Sequence, residues 1–280
     1  FTHSLISEAL KGEYLGSIMN GKGEIFVATW SAKMVVVEKF DGNHVSAGKL
    51  EIPGNYEYKG MMMRLNDKND QSLLVAMTDR KQHKIELGLY EFDFAAKKVL
   101  SSNQTLHKES VKSWKAQNKE NKEEVIDFKD IDNLALAGLL QAEDRMIAVL
   151  EERYTRRDNE GNVAGTTIGP AVVVFYNGKL NFIGSQAIAK EYDIDNRALF
   201  EWTIGSHIYN GRLLLVTNDG TKHRSSSAII SVIDLASMKA EPPFYIERNG
   251  RVSEGAATLW FGKNFIITNG VGPLYRKINF

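Results

Sequence analysis

Acidic side chains stand at or near the starts of several predicted β-strands, where they could take part in acid–base chemistry. Hydrolysis of a glycosidic bond needs two carboxyl groups about 5 to 9.5 Å apart, one protonated and one ionised. Carboxylates that crowd together raise one another's pKa, which would supply the protonated member. The alternative is that these residues are solvated loop ends or ion-pair partners, which the sequence favours because their position relative to the strand varies. The candidates are Glu13, Glu57, Asp132, Glu201 and Glu254.

Cationic side chains form a second candidate set, concentrated in the predicted connections between the second and third strands of repeated four-strand units. A cationic surface attracts anionic ligands such as sulfated or uronic sugars, phosphates or an acidic protein patch. The planar guanidinium of Arg also matches carboxylate and phosphate groups. Acidic residues in the same segments, such as Asp79 and Asp219, reduce this field, so ordinary solvated turns are the alternative. The candidates are Arg80, Lys81, Arg153, Arg156, Arg157, Lys222 and Arg224.

Several well-known catalytic and cofactor patterns are missing from the sequence. There is no glycine-rich phosphate loop, no dinucleotide fingerprint and no His-Glu-x-x-His motif. The chain has no cysteine, which excludes disulfides, thiolate zinc sites and cysteine nucleophiles. The sequence therefore predicts neither a cofactor nor a metal site.

Charge and hydropathy narrow the range of partners. The 280 residues include 35 Lys and Arg and 35 Asp and Glu, so the net charge is zero. This balance argues against a nucleic-acid-binding protein. No apolar run approaches the 18 or so residues of a transmembrane helix, so no such segment is predicted. The chain begins with Phe1 instead of Met, which favours an exported protein, periplasmic or extracellular, with its signal removed.

Strand signals recur along the chain in units of four, separated by glycine-containing turns. Four strands in roughly 40 to 50 residues, with insertions, is the period of a propeller blade. The fourth unit is predicted to open with the strand at residues 199–204 and the fifth with residues 258–261. The predicted first strands of the five units begin at Tyr14, Tyr58, Leu134, Leu199 and Thr258.

The fifth unit has only three predicted strands, and the N-terminal residues 2–9 contain a spare one. Pairing of this segment with residues 274–279 would close the ring and remove the open edges. The chain thus resembles β-propellers. We expect an all-β, five-bladed β-propeller, closed by its N- and C-terminal strands, as a single domain over residues 1–280. A β-sandwich is the alternative fold.

The propeller resemblance gives both candidate sets a location. In propellers, the loops between second and third strands share one rim with the loops that lead into the next blade. First strands line the central channel, and ligand sites use this rim and the channel mouth. Five-bladed glycosidases are similar in placing carboxylates at the channel mouth.

An insertion at residues 107–127 interrupts the repeat. Five lysines spaced four and three residues apart match one face of a helix. Such a helix could meet an acidic partner, or it could be a solvated surface helix, since four nearby glutamates offset the charge. The lysines are Lys108, Lys112, Lys115, Lys119 and Lys122, and the glutamates are Glu109, Glu120, Glu123 and Glu124.

These observations favour a non-catalytic binding or scaffold protein that engages an anionic ligand or a protein partner on one propeller rim. The alternative is a carbohydrate-active hydrolase that uses carboxylates at the channel mouth. A third hypothesis is a structural or assembly role, in which the lysine-rich insertion and the blade surfaces mediate contacts.

Overall fold

The computed structural model describes an all-β chain in which no helix among the described residues is long and apolar enough to cross a membrane. The chain divides into two compact units. Unit 1 falls within Phe1–His107, Leu139–Ala148 and Tyr176–Ile183, and unit 2 within Lys108–Gly138, Val149–Phe175 and Gly184–Phe280. The described residues are 12–42, 44–66, 68, 70–79, 81–107, 115–117, 123–126, 128, 133–194, 204–219, 227–246, 254–261, 264–268 and 274–277.

The first sheet is antiparallel, and its strand order follows the chain. Valines of its third strand, including Val35 and Val37, are fully buried, as expected of β-branched residues on a core-facing strand. Ala32 and Lys33 in the turn before that strand both have positive φ, 47° and 65°, the combination of a type I′ hairpin. The strands are β1 (Glu13–Met19), β2 (Ile25–Ser31), β3 (Met34–Asp41) and β4 (His44–Glu51).

The second sheet repeats this order and packs against the first within unit 1. Phe26 of the first sheet shares one buried cluster with Leu73 and Phe92 of the second. Gly48 permits this approach, because a Cβ at this position would overlap the ring of Phe92. The strands are β5 (Glu57–Leu65), β6 (Gln71–Asp79), β7 (Lys84–Asp93) and β8 (Lys98–His107).

Two short strands lie within the insertion. They pair with each other in an antiparallel two-stranded sheet, with Lys115 opposite Val125. Lys115 is therefore in a strand, because cross-strand pairing fixes an extended backbone. The lysine spacing instead predicts a helical face at this residue. Lys108, Lys112, Lys119 and Lys122 lie outside the described residues. The strands are β9 (Lys115–Gln117) and β10 (Glu123–Val125).

The third sheet also has four strands in chain order, and a fifth short strand pairs with part of its third strand. Its central hairpin is longer than predicted, because strand pairing continues on both sides of the turn at residues 158–162. Arg153, Arg156 and Arg157 consequently lie on a strand, and their predicted placement in a loop is wrong. The strands are β11 (Leu134–Ala142), β12 (Arg145–Arg157), β13 (Val163–Tyr176), β14 (Phe182–Ile188) and β15 (Tyr192–Ile194).

The fourth and fifth sheets lie in unit 2 and differ in strand number. The described strands of the fifth sheet number three, as the sequence predicts. The first described strand of the fourth sheet begins at Gly205, and its residues Gly205 to Tyr209 lie opposite Val216 to Arg212. Of the strand that the sequence predicts at residues 199–204, residues 199–203 lie outside the described residues. The strands are β16 (Gly205–Tyr209), β17 (Arg212–Asp219), β18 (Ser227–Asp234), β19 (Lys239–Ile246), β20 (Glu254–Phe261), β21 (Asn264–Thr268) and β22 (Leu274–Lys277).

One turn device recurs in different sheets. The side-chain oxygen of an Asn accepts hydrogen bonds from the backbone N–H groups two and four residues later, at 2.9 to 3.0 Å. This device closes the turns that begin at Asn20, Asn66 and Asn177, and Asp158 does the same in the long hairpin. Asn and Asp favour turns because they make such local bonds.

Antiparallel sheets of four strands in chain order are the units from which propeller blades are built, and four sheets contain this arrangement. The predicted number of blades, the terminal closure and the single domain stay predictions. The proposed closing strand at residues 2–9 lies outside the described residues.

Candidate functional site

A pocket of about 430 Å³ lies at one end of the second sheet, within unit 1. It forms between the loop that leads into β5 and the turn that follows β6. Both connections reach the same end of the sheet, as the repeat predicts for loops of one rim. We call it the rim pocket. Its lining residues are Gly54, Asn55, Tyr56, Glu57, Thr78, Asp79, Lys81 and Gln82.

Hydrogen bonds within both connections hold the rim pocket in shape. The buried carboxylate of Asp79 accepts the backbone N–H groups of Lys81 and Gln82 at 3.1 and 3.2 Å. The Tyr56 N–H donates to the carbonyl oxygen of Pro53 at 2.9 Å. The turn after β6 also contains His83 with a φ of 49°. Hydrogen bonds within the two connections thus set the shape of the pocket walls.

Tyr56 contributes a half-buried ring to this pocket. Lys84 Nζ lies 5.4 Å from the ring centroid, within the range of a cation–π contact. Burial raises the pKa of Tyr56, and its hydrogen bond with Glu86 raises it further against the opposing effect of Lys84. The phenol therefore stays protonated at neutral pH, with its hydroxyl bonded to Glu86 and its ring presenting an aromatic surface to the pocket.

Two residues from separate candidate sets meet in the rim pocket. Glu57, the first residue of β5, comes from the carboxylate set, and Lys81 comes from the cationic set. Both are exposed at the pocket surface. Arg80 lies outside the described residues. Sequence reasoning missed Asn55, Tyr56 and Gln82, because uncharged residues in loops carry no signal that separates them from other turn residues.

The other carboxylate candidates occupy different surroundings. Glu13 opens β1 opposite Trp30, whose ring stacks on that of Tyr58 at a centroid distance of 4.5 Å. Burial, together with the charge of Glu13, raises the pKa of Tyr58 to about 12. Glu254 is the first residue of β20 and pairs with Thr268. Asp132 and Glu201 lie outside the described residues.

The arginine candidates of β12 are engaged within the protein. Arg153 donates two hydrogen bonds to Glu151 Oε1, from Nε at 3.0 Å and from Nη2 at 2.7 Å. Arg156 lies 3.5 Å from a carboxylate oxygen of Asp193, and Arg157 donates to the carbonyl oxygen of Gly161 at 2.8 Å. The carboxylates of Glu151 and Asp193 reduce the charge that Arg153 and Arg156 present to an external anion, whereas the partner of Arg157 is a neutral carbonyl. Lys222 and Arg224 lie outside the described residues.

Glu151 is the centre of a buried ionic cluster in unit 2 that the sequence analysis missed. Its second oxygen accepts a hydrogen bond from Lys190 Nζ at 3.0 Å, and both side chains are fully buried. Burial lowers the pKa of Lys190, an effect that the charge of Glu151 opposes. The only available signal was the charged pair Glu151-Glu152 directly after an apolar strand run.

A second cavity, of about 310 Å³, lies where the first strands of three sheets meet in unit 1. Met61 and Met63 pack toward the buried core, whereas Met62 is on the opposite face of β5. The described residues that line this cavity carry no charge, so no carboxylate pair is among them. They are Leu15, Gly16, Ser17, Met61, Met62, Met63 and Leu139.

Comparisons with known proteins give no family. No protein-family model matches the chain, and no curated protein does. The chain is similar to the solved structure of a glycoside hydrolase family 43 arabinoxylan arabinofuranohydrolase from Bacillus subtilis in complex with cellotetraose, with 11% identity and a TM-score of 0.38. The match covers 91% of this chain and 58% of the hydrolase chain, so this chain spans less than two thirds of that protein.

Two further solved structures are similar over most of this chain. Kluyveromyces lactis Hsv2 matches with 10% identity and a TM-score of 0.29, covering 92% of this chain and 70% of its own. A DUF4221 family member from Bacteroides vulgatus matches with 10% identity and a TM-score of 0.26, covering 92% of this chain and 87% of its own. All three TM-scores are below 0.5, so the roles of residues are argued from the geometry of this chain alone.

Proposed function

We propose that this protein is a non-catalytic binding protein that holds a polar ligand with an anionic group in the rim pocket. The observation that carries the proposal is the composition of that pocket. Amide, hydroxyl, ammonium and carboxylate groups surround about 430 Å³ beside the ring of Tyr56. Small-ligand sites combine such convergent polar groups with an apolar or aromatic surface.

A sugar that carries a carboxylate or sulfate group matches this chemistry. Asn55 and Gln82 can donate to or accept from hydroxyl groups, and Glu57 can accept from them. Lys81 is exposed at the pocket and supplies a positive charge for the anionic group. The remaining cationic candidates, Arg80, Lys222 and Arg224, would extend the same rim if the sheets form the propeller predicted from the sequence.

We infer that the rim belongs to a five-bladed β-propeller that is closed by its N- and C-terminal strands. Four sheets with four strands in chain order, and one sheet with three strands among the described residues, support this inference. The common cavity of β1, β5 and β11 supports it further within unit 1, because these are the first strands of their sheets and first strands line a propeller channel. The β-sandwich is the competing arrangement.

Titration calorimetry with matched uronic, sulfated and neutral oligosaccharides tests the binding proposal. We expect the anionic sugars to bind more tightly than the neutral ones, and Lys81→Glu to weaken their binding roughly tenfold. Lys97→Glu places the same charge change in the turn at the other end of the same sheet and should leave binding unchanged. Equal effects of the two variants, or no binding of any sugar, would contradict the proposal.

A carbohydrate-active hydrolase is the second candidate, because Glu57 and Asp79 line the same pocket. Asp79 holds the turn through Oδ1, and Glu57 would supply the second carboxyl group that glycosidic hydrolysis needs. Chromogenic glycosides test this function directly. A hydrolase would lose turnover in Glu57→Gln while keeping substrate binding, whereas the binding proposal expects no turnover in either protein.

A further inference from the structure

The outer strand of the second sheet, β8, has a long and regular free edge. It pairs with β7 over ten residues without a register shift, and among the described strands it has a neighbour on that side only. Its residues 99–106 are all uncharged. Val99 and Leu100 are 43% and 53% exposed, so their side chains are open to solvent at this end of the strand.

The outer strands of the other four-stranded sheets are protected in ways that β8 is not. A free edge invites pairing with another chain, and proteins prevent this with charges, prolines, bulges or covering segments. β4 carries Lys49 and Glu51. β19 carries Pro242 and Pro243, and its register shifts. β14 is approached by the turn between β18 and β19. The sulfur of Met238 in that turn would lie 3.3 Å from a Cβ at Gly184 of β14.

We propose that β8 is a self-association edge, through which two copies of this chain pair antiparallel about a two-fold axis. The pairing joins two four-stranded sheets into one of eight strands. A second copy is the occupant because its own β8 is uncharged and already extended, so pairing requires no ordering of a flexible segment. One pairing satisfies the same edge on both copies, as a two-fold interface requires.

Symmetry and side-chain chemistry select the register. Antiparallel pairs alternate between hydrogen-bonded and non-hydrogen-bonded types, so a two-fold axis must pass between a residue and its own copy. With Asn103 facing its own copy, Leu100 faces the partner's Leu106, which is 4% exposed within its own chain, and Ser102 faces the partner's Gln104. Over residues 100–106, apolar residues then face apolar ones and polar residues face polar ones, the pairing that stabilises sheets, while Val99 faces the partner's His107.

Sedimentation over a range of concentrations tests the dimer. We expect the mass to rise from 31.4 kDa to twice this value as concentration increases. Leu100→Lys removes two symmetric apolar pairs and should raise the dissociation constant about tenfold. Ala47→Lys places the same charge on the edge of β4 and should have no effect. Circular dichroism and thermal unfolding verify that both variants fold.

Cysteine cross-linking tests the register, since the chain contains no cysteine of its own. Asn103→Cys places two thiols opposite each other and should give a disulfide-linked dimer on mild oxidation. Ser101→Cys moves the thiols away from the axis and should not. A monomer at every concentration, a dimer insensitive to Leu100→Lys, or equal cross-linking of both cysteine variants would overturn the proposal, independently of any result on the rim pocket.

Discussion

At the scale of single residues, Glu151 on β12 joins Arg153 and Lys190 in a buried ionic cluster. Glu151 accepts hydrogen bonds from Arg153 and Lys190, and the latter comes from a segment 39 residues away. Removing one member of a buried ion pair leaves the other charge without its partner in a medium of low dielectric constant. Substitution of Glu151 or Lys190 should therefore weaken the contact between β12 and the segment that carries Lys190.

Glu151→Gln should lower the free energy of unfolding by about 3 to 5 kcal/mol, because Lys190 loses its ionic partner. Lys190→Met should have a similar cost. The double variant should lose less than the sum of the two, since no buried lysine then remains. Urea unfolding of the four proteins measures this coupling, and additive losses would contradict a direct interaction.

Tyr58 links stability to alkaline pH. Its pKa is raised from 10.0 to about 12, first by burial and then by Glu13. Between pH 10 and 12 the unfolded chain has lost this proton and the folded chain has kept it, so stability falls as pH rises through this range. Tyr58→Phe should reduce that fall in urea unfolding measured at pH 9 to 12.

Tyr90 provides an independent test of the same effect, because burial raises its pKa to about 12 as well. Tyr90→Phe should also flatten the alkaline slope, and the double variant should flatten it further. Identical slopes in all four proteins would show that neither phenol contributes.

At the scale of elements, hairpins depend on the recurring Asn turn. Asn177 Oδ1 accepts the N–H groups of Lys179 and Asn181 between β13 and β14. Asn177→Ala should lower the free energy of unfolding by about 1 to 2 kcal/mol through these bonds. Asn177→Asp keeps an acceptor oxygen and should lose less. Chemical denaturation distinguishes them, and equal losses would argue against the hydrogen bonds as the cause.

Most of the first two sheets could be predicted from the sequence, because each strand is a β-branched or apolar run between turn residues. The β12–β13 hairpin could not, since Gly165, Gly169 and Pro170 resemble a loop. Gly169 is instead a close contact, where a Cβ would lie 2.8 Å from Glu152 Oε2. β15 has only three residues, so its identity depends on pairing with Thr166–Ile168, which no local pattern reveals.

The candidate site was predictable only through its charged residues. Glu57 and Lys81 were identified because charge near a strand end is visible in a sequence. The pairing of Glu151 with Lys190 was not, because a contact across 39 residues depends on the fold. The same is true of the internal partners of Arg153 and Arg156.

At the scale of the whole molecule, the three described strands of the fifth sheet make the terminal closure testable. Deletion of residues 1–11 should increase amide hydrogen exchange in Leu274–Lys277, because β22 would lose its proposed neighbour. Exchange in β17 and β18 serves as the internal control. A synthetic peptide of residues 1–11 should restore protection. Unchanged exchange at β22 after the deletion would contradict closure.

The chain-order pairing of the sheets has a consequence for folding kinetics. In every four-stranded sheet, each strand bonds to the strand that precedes or follows it in the sequence. Such pairings close short loops, so each costs little chain entropy. We therefore expect hairpins to form early and independently, and the β13–β15 contact, which spans β14, to form late.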